Sequence, residues 1–297
     1  MLLGILGFTT INGLVAVGQR KLLYFPPKGT ITVAESGIPL DRIRAVEVPS
    51  TDGLTLHGWY ATPTDQGADA QQAPWLVILF SGNGSNRLGR TDVARMFNDF
   101  GCAVLMCDYR GYAENEGVPT ERGLTDDSLA VWNYARHELN FPAENILICG
   151  ESLGGGVATR LAYEVGQKEE VPAALILSMT FSSLPDVAAV HYPWLPARWL
   201  LMDRYPSIER ITHLTCPILM LHGTQDPVVP YELGQKLYNA APETATNGIS
   251  KRFVTLPNEG HDLNAIVRPR GRQECRQLLK DLVTARSGST PSATISD

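Results

Sequence analysis

Short runs of apolar and β-branched residues alternate along the chain with longer stretches in which apolar residues recur at helical spacing. The runs predict eight strands, at residues 45–49, 54–60, 75–80, 103–107, 146–149, 174–177, 218–221 and 252–256. The amphipathic stretches predict helices at residues 92–99, 121–138, 153–165, 231–240 and 273–283. This alternation is typical of an α/β domain in which right-handed crossovers join parallel strands.

Two features of the predicted strands refine this architecture. The runs at 75–80 (WLVILF) and 218–221 (ILML) are apolar throughout, as expected of parallel strands covered by helices on both faces. The first two runs flank Asp52-Gly53, a strong hairpin signal. We therefore expect one domain, residues 19–286, whose mostly parallel eight-stranded sheet begins with an antiparallel hairpin.

Composition and charge exclude several classes of protein. Of 297 residues, 44% are hydrophobic and 19% charged, which is enough apolar material for a large core. Lys and Arg number 25 against 31 Asp and Glu, a net charge of −6, so no nucleic-acid partner is expected. The five cysteines form no Cys-x-x-Cys pair, which favours buried, inert thiols over a disulfide scaffold or a zinc site.

The two ends of the chain differ in character. Residues 1–18 contain eleven apolar residues and no charged one, and Arg20 and Lys21 follow. Three interpretations stay open: an uncleaved membrane anchor of roughly 27 Å, a signal peptide cleaved after Gly18, or a helix packed on the domain. An anchor would make the protein membrane-associated, and the two basic residues would favour a cytoplasmic catalytic domain. Residues 287–297 are small and polar, which predicts a disordered tail.

A nucleophile motif follows the fifth predicted strand. Residues 150–154 read GESLG, a G-x-S-x-G sequence between a strand and a predicted helix. Such a tight turn exposes the serine at the carboxyl edge of the sheet, and the flanking glycines avoid clashes with neighbouring strands. The N-terminus of the following helix favours developing negative charge. The motif therefore predicts Ser152 as a nucleophile.

A serine hydroxyl needs a base, and in enzymes with this turn the acid and then the histidine follow the serine along the chain. Asp226 lies in the loop after the run 218–221, 74 residues after Ser152, and His261 lies in the loop after 252–256, 35 residues further on. Asp262 is a rival acid, but adjacent side chains rarely point so that one orients the other. The other five histidines are interpreted as surface or packing residues: His57, His137, His191, His213 and His222.

Acyl transfer also needs hydrogen-bond donors for the oxyanion. The backbone N–H of Leu153, the residue after the nucleophile, is one expected donor. The second is expected from the loop at residues 81–86 (SGNGSN), where we assign it to the N–H of Asn83. The alternative is that this loop is a plain strand-to-helix turn.

These separated motifs, together with DYRGY at residues 108–112, resemble those of the α/β-hydrolase superfamily. Within it, the chain is similar to small membrane-anchored α/β-hydrolase-domain proteins, a group with acyl-protein thioesterase-like and lysophospholipase-like members. The resemblance implies an α/β-hydrolase fold and a Ser152, Asp226 and His261 triad. It also implies oxyanion donors at Asn83 and Leu153. Many relatives have His-Gly where this chain has Ser81-Gly82.

The expected function is that of a serine hydrolase that cleaves a small carboxylic ester or thioester through an acyl-enzyme, without a metal or cofactor. A peptidase or amidase with the same triad, transfer of the acyl group to an acceptor other than water, and a non-catalytic binding protein are the alternatives. The segment 181–211 is predicted to form a short cap. Its aromatic cluster (HYPWLP, residues 191–196) either lines an acyl pocket or packs on the sheet.

Overall fold

The apolar runs of the sequence form one eight-stranded sheet. The computed structural model describes residues 18–63, 73–194, 196–262 and 264–288. The strands are β1 (Ile43–Pro49), β2 (Thr55–Ala61), β3 (Trp75–Phe80), β4 (Cys102–Cys107), β5 (Ile146–Glu151), β6 (Ala174–Ser178), β7 (Ile218–Gly223) and β8 (Arg252–Leu256). Their order in the sheet is β1-β2-β4-β3-β5-β6-β7-β8. The two pairings of β2 are antiparallel and the others parallel, which confirms the predicted architecture.

Helices connect the strands of the sheet. They are α1 (Thr91–Asn98), α2 (Glu121–His137), α3 (Leu153–Gly166), α4 (Leu184–His191), α5 (Ala197–Leu200), α6 (Ser207–Arg210), α7 (Tyr231–Ala240) and α8 (Pro269–Gly288). Each predicted helix is present, and α8 begins four residues earlier than predicted because proline is well accepted at the first position of a helix. The short helices α4 to α6 lie in the segment predicted as a cap.

The buried side chains form one core on each face of the sheet. Alternate residues of β3 contribute to opposite cores, Leu76 and Ile78 to one and Val77 and Leu79 to the other. Helices α2, α3 and α7 pack on the first face, and α1 and α8 pack on the second. Every residue of β3 to β7 is buried, which explains why these strands lack polar alternation.

The two predicted terminal segments fall largely outside the described residues. Of the predicted anchor, residues 1–17 lie outside them, and residues 18–23 are helical. None of the helices within the described ranges has the length and apolar character needed to cross a membrane. At the other end, α8 continues through Gly288, two residues into the segment predicted as a tail, and residues 289–297 lie outside the described residues.

All five cysteines are buried and free, as the sequence predicts. Burial raises the pKa of the Cys102, Cys216 and Cys275 thiols to about 12. These thiols are therefore protonated at neutral pH and are poor nucleophiles.

Candidate active site

Ser152 occupies a strained turn between β5 and α3. Its backbone angles are φ 51° and ψ −116°, a conformation that non-glycine residues rarely adopt. Three hydrogen bonds hold the turn: the Ser152 N–H donates to the Ser178 carbonyl (2.9 Å), and the Ser152 carbonyl accepts from the Gly155 N–H (3.0 Å) and the Thr180 hydroxyl (2.8 Å). Surrounding structure thus enforces the strain and places the serine, which is 8% exposed, at the end of the strand.

The glycines of the motif are required by the close approach of backbone and side chains. A Cβ atom on Gly150 would lie 2.3 Å from the carbonyl oxygen of Gly154. One on Gly154 would lie 2.3 Å from the Phe80 carbonyl oxygen and 2.6 Å from that of Ser81. The turn therefore packs directly against the end of β3, where the predicted oxyanion loop begins.

The structure brings together the three side chains that the sequence predicts as a triad. His261 Nε2 lies 3.1 Å from Ser152 Oγ, and His261 Nδ1 lies 2.7 Å from Asp226 Oδ2. A carboxylate only accepts hydrogen bonds, so Nδ1 carries the proton and Nε2 presents its lone pair to the serine hydroxyl. This arrangement suits proton transfer from Ser152 to His261.

Asp226 is held as a buried carboxylate. Its Oδ1 accepts hydrogen bonds from the backbone N–H groups of Val228 and Val229, each at 2.8 Å. Burial by itself would raise the pKa of Asp226, but hydrogen bonds from His222 and His261 outweigh burial and lower the pKa well below its usual range. The group is therefore ionised wherever the enzyme is folded near neutral pH.

The rival acid, Asp262, pairs with Arg268. Its Oδ2 lies 2.5 Å from a guanidinium nitrogen of Arg268. An adjacent carboxylate thus forms a surface ion pair, and the imidazole of His261 contacts Asp226 instead.

His222 contributes to the site, which the sequence interpretation as a surface or packing residue missed. It is buried, its Nε2 donates to the Val229 carbonyl at 2.9 Å, and the same atom lies 3.4 Å from Asp226 Oδ2. A Cβ on Gly234 would lie 2.2 Å from the His222 ring, so α7 leaves space for the imidazole at this glycine. The available signal was its position at the end of β7, four residues before the acid.

The predicted oxyanion loop lies beside the nucleophile. Within the described part of the chain, no acceptor pairs with the backbone N–H of Asn83 or of Leu153, so both are free to donate to a substrate. The Asn83 side chain holds the loop: its Oδ1 accepts from the Phe25 N–H (3.0 Å) and the Tyr112 hydroxyl (2.8 Å), and its Nδ2 donates to the Leu23 carbonyl. The oxyanion role of the two N–H groups stays a prediction.

Comparisons with known proteins identify the family of this chain. A family described as serine aminopeptidase, S33, matches residues 71–209, and one described as TAP-like protein matches residues 197–288. An uncharacterized protein of Mycobacterium tuberculosis is 40% identical over 244 residues, which are 82% of this chain and 80% of that protein. The chain belongs to the α/β-hydrolase superfamily.

Other relatives of this α/β-hydrolase have more specific names. The lysophosphatidylserine lipase ABHD12 of Danio rerio is 32% identical over 231 residues, 68% of this chain and 60% of that protein. Among solved structures, a Pyrococcus furiosus esterase, Pf2001, has a TM-score of 0.64 at 19% identity and covers 87% of this chain and 97% of its own. Est1E from Butyrivibrio proteoclasticus, bound to ferulic acid, also has a TM-score of 0.64 at 19% identity, over 81% of this chain and 100% of its own. These two structures show the shared fold.

A buried ion pair lies next to the nucleophile turn of this hydrolase. Glu151, the residue before Ser152, pairs with Arg90 at 2.7 Å, and both side chains are almost fully buried. Burial raises the pKa of Glu151 to about 7, although Arg90 opposes the shift. The sequence pattern did not single out this pair because the middle positions of G-x-S-x-G vary.

Arg110, in the segment 108–112, connects three parts of the fold through hydrogen bonds. Its guanidinium donates to Asp127 at 2.6 Å and 2.9 Å and to Asp52 at 2.6 Å, and it is buried. These bonds fix the loop after β4 to α2 and to the first hairpin of the hydrolase.

Proposed function

We propose that this α/β-hydrolase cleaves a carboxylic ester or thioester through Ser152, His261 and Asp226. The observation that carries the proposal is the continuous hydrogen-bonded path from Asp226 through His261 to Ser152, at 2.7 Å and 3.1 Å. His261 takes the hydroxyl proton as Ser152 attacks the acyl carbon, and Asp226 stabilises the imidazolium that forms. The oxyanion accepts hydrogen bonds from the N–H groups of Asn83 and Leu153.

Collapse of this tetrahedral species breaks the bond to the leaving group, which takes its proton from His261. A water molecule then attacks the acyl-enzyme, with His261 as the base, and releases the acid.

We propose a lipid-like acyl ester as the substrate, and the similarity to lysophosphatidylserine lipases supports this choice. We also propose that residues 1–18, which contain eleven apolar residues and no charged one, associate the protein with a membrane.

Hydrolysis of p-nitrophenyl esters of increasing chain length, followed by lysophospholipids, tests the proposal. Ser152→Ala is expected to lower kcat by about 10³-fold or more. Ser128→Ala is the matched control, because Ser128 is also a buried serine but lies on α2, with its hydroxyl bonded to the Thr125 carbonyl. Equal activity of Ser152→Ala and Ser128→Ala would overturn the assignment. Hydrolysis of amides but not esters would favour the peptidase alternative.

A further inference from the structure

The cap exposes an unusual number of large apolar side chains. Among the described residues of the stretch 190–202, five such side chains are more than half exposed: Val190, Tyr192, Trp194, Trp199 and Met202. Trp199 is 90% exposed. The aromatic cluster of the sequence therefore neither packs on the sheet nor lines a closed pocket with these rings. The rings of Tyr192 and Trp194 lie 6.4 Å apart, edge to face. Large apolar side chains that cluster on the surface mark an interaction site.

The segment after residue 18 joins this surface. The Gln19 side chain donates to the Leu200 carbonyl (3.1 Å) and accepts from the Met202 N–H (2.7 Å). Arg20 pairs with Asp203 at 3.0 Å. Residues 19–20 are thus fixed to the cap, and two further exposed apolar side chains, Leu22 and Phe25, follow directly along the chain.

The same surface reaches both sides of the candidate active site. At one side, His191 Nε2 donates to the Val228 carbonyl at 2.9 Å, which joins α4 to the loop of Asp226. At the other, Asn83 binds the N–H of Phe25 and so joins the N-terminal segment to the oxyanion loop. We call the five exposed side chains of the cap, together with Leu22 and Phe25, the apolar rim.

We propose that the apolar rim docks on the surface of an anionic lipid bilayer. Tryptophan and tyrosine favour the boundary between water and hydrocarbon, and both residue types are present in the rim. Exposed cations stand beside its apolar residues, although the whole chain carries a net charge of −6. Lys21 precedes Leu22, and Arg198, which is largely exposed and lies 3.4 Å from Asp186, precedes Trp199. Anionic head groups complement such a local arrangement.

Continuity with the start of the chain favours a bilayer over a protein partner. Residues 1–17 contain eleven apolar residues and no charged one, and they connect to residue 18, next to the point where Gln19 binds the cap. If these residues enter a membrane, the rim lies at its surface. Docking of the rim does not depend on the proposed catalytic function.

The tryptophans of this chain provide a direct test. Trp59, Trp75 and Trp132 are buried, whereas Trp194 and Trp199 are exposed in the rim. The full chain is bound to vesicles of phosphatidylcholine and phosphatidylglycerol whose acyl chains carry bromine, which quenches tryptophan on contact. We expect quenching of the emission of these two of the five tryptophans, relative to unbrominated vesicles of the same composition. The double variant Trp194→Phe with Trp199→Phe should show none.

Three results would overturn the proposal. In the first, the chain floats with the vesicles but its tryptophan emission is the same with brominated and unbrominated lipids, which would mean that residues outside the rim bind it to the vesicle. In the second, the quenching is as strong in the double variant as in the wild type. In the third, Trp194 and Trp199 are shielded from acrylamide without lipid and the chain sediments as a dimer, which would mean that a second copy of the chain covers the rim. Weaker quenching in vesicles of phosphatidylcholine alone is expected from Lys21 and Arg198, and equal quenching would contradict their part in docking.

Discussion

Ser152→Gly should give a more stable protein than Ser152→Ala, because the two variants differ in how they tolerate the nucleophile turn. Both remove the hydroxyl and its hydrogen bond with His261. Both keep the three backbone contacts that hold the turn, from Ser178, Gly155 and Thr180. The comparison therefore isolates the effect of a Cβ atom at φ 51° and ψ −116°.

The size of the difference follows from two opposing effects. A non-glycine residue in such a conformation costs about 1–3 kcal/mol, and glycine removes that cost. Glycine also gives the unfolded chain more conformational freedom, which lowers stability by about 0.4–1 kcal/mol. The balance favours Ser152→Gly by about 1 kcal/mol in the free energy of unfolding. For a chain of this size we expect a Tm higher by about 2 °C.

Urea unfolding followed by circular dichroism measures this difference. The midpoint for Ser152→Gly should lie above that of Ser152→Ala, with equal slopes, since the surface exposed on unfolding is the same. As a control, Ser128→Gly should be less stable than Ser128→Ala, because Ser128 lies within the helix α2, where glycine is unfavourable. An alanine variant at position 152 as stable as the glycine variant would refute the argument that the turn is strained.

Three further predictions concern the residues around the triad. Asp226→Asn should lower kcat for ester hydrolysis by about 10⁴-fold, because the wrong imidazole tautomer is favoured. Because the pKa of Asp226 is lower in the folded protein than in the unfolded chain, this group stabilises the fold above about pH 4, and the stabilisation is lost as the pH falls further. The free energy of unfolding of the Asn variant should therefore fall less steeply with decreasing pH than that of the wild type. Identical pH dependence of the two proteins would contradict this linkage. His222→Ala leaves the buried Val229 carbonyl unpaired and should lower the free energy of unfolding by about 1–3 kcal/mol, measured in urea; an unchanged midpoint would mean that the contact is dispensable. Asn83→Ala keeps the backbone donor but releases the loop from Phe25, so kcat should fall by roughly 10- to 100-fold with little change in KM. A change confined to KM would indicate that the side chain binds substrate instead.

The parts of the site that the sequence predicts are those attached directly to strand ends. Ser152 follows β5 without an intervening residue, and Asp226 and His261 lie in the loops after β7 and β8. Since parallel strands place their carboxyl ends at one edge of the sheet, the order of the residues along the chain was enough to bring them together. The tight turn at Ser152 could be expected because glycines stand at positions 150 and 154.

Contacts between segments distant in sequence were not predictable in this way. His222 was interpreted as a surface or packing residue because its position at a strand end does not show which residues surround it. Its contact with Asp226 depends on the path of the loop between them. The bonds of Asn83 to residues 23 and 25 join segments about 60 residues apart. The exposure of the cap aromatics depends on how α4 and α5 lie relative to the sheet, which their composition does not determine.

Labelling with a fluorophosphonate tests the central claim, that Ser152 is an activated nucleophile. Such a probe forms a covalent bond with the serine oxygen only when a base has prepared that oxygen for attack. Peptide mass spectrometry of the labelled full chain should place the adduct on Ser152, and labelling should be lost in Ser152→Ala and strongly slowed in Asp226→Asn. A folded wild-type protein that takes no label would contradict this claim and favour a non-catalytic binding protein. A label on another serine would also contradict it, because the activated serine would then lie elsewhere.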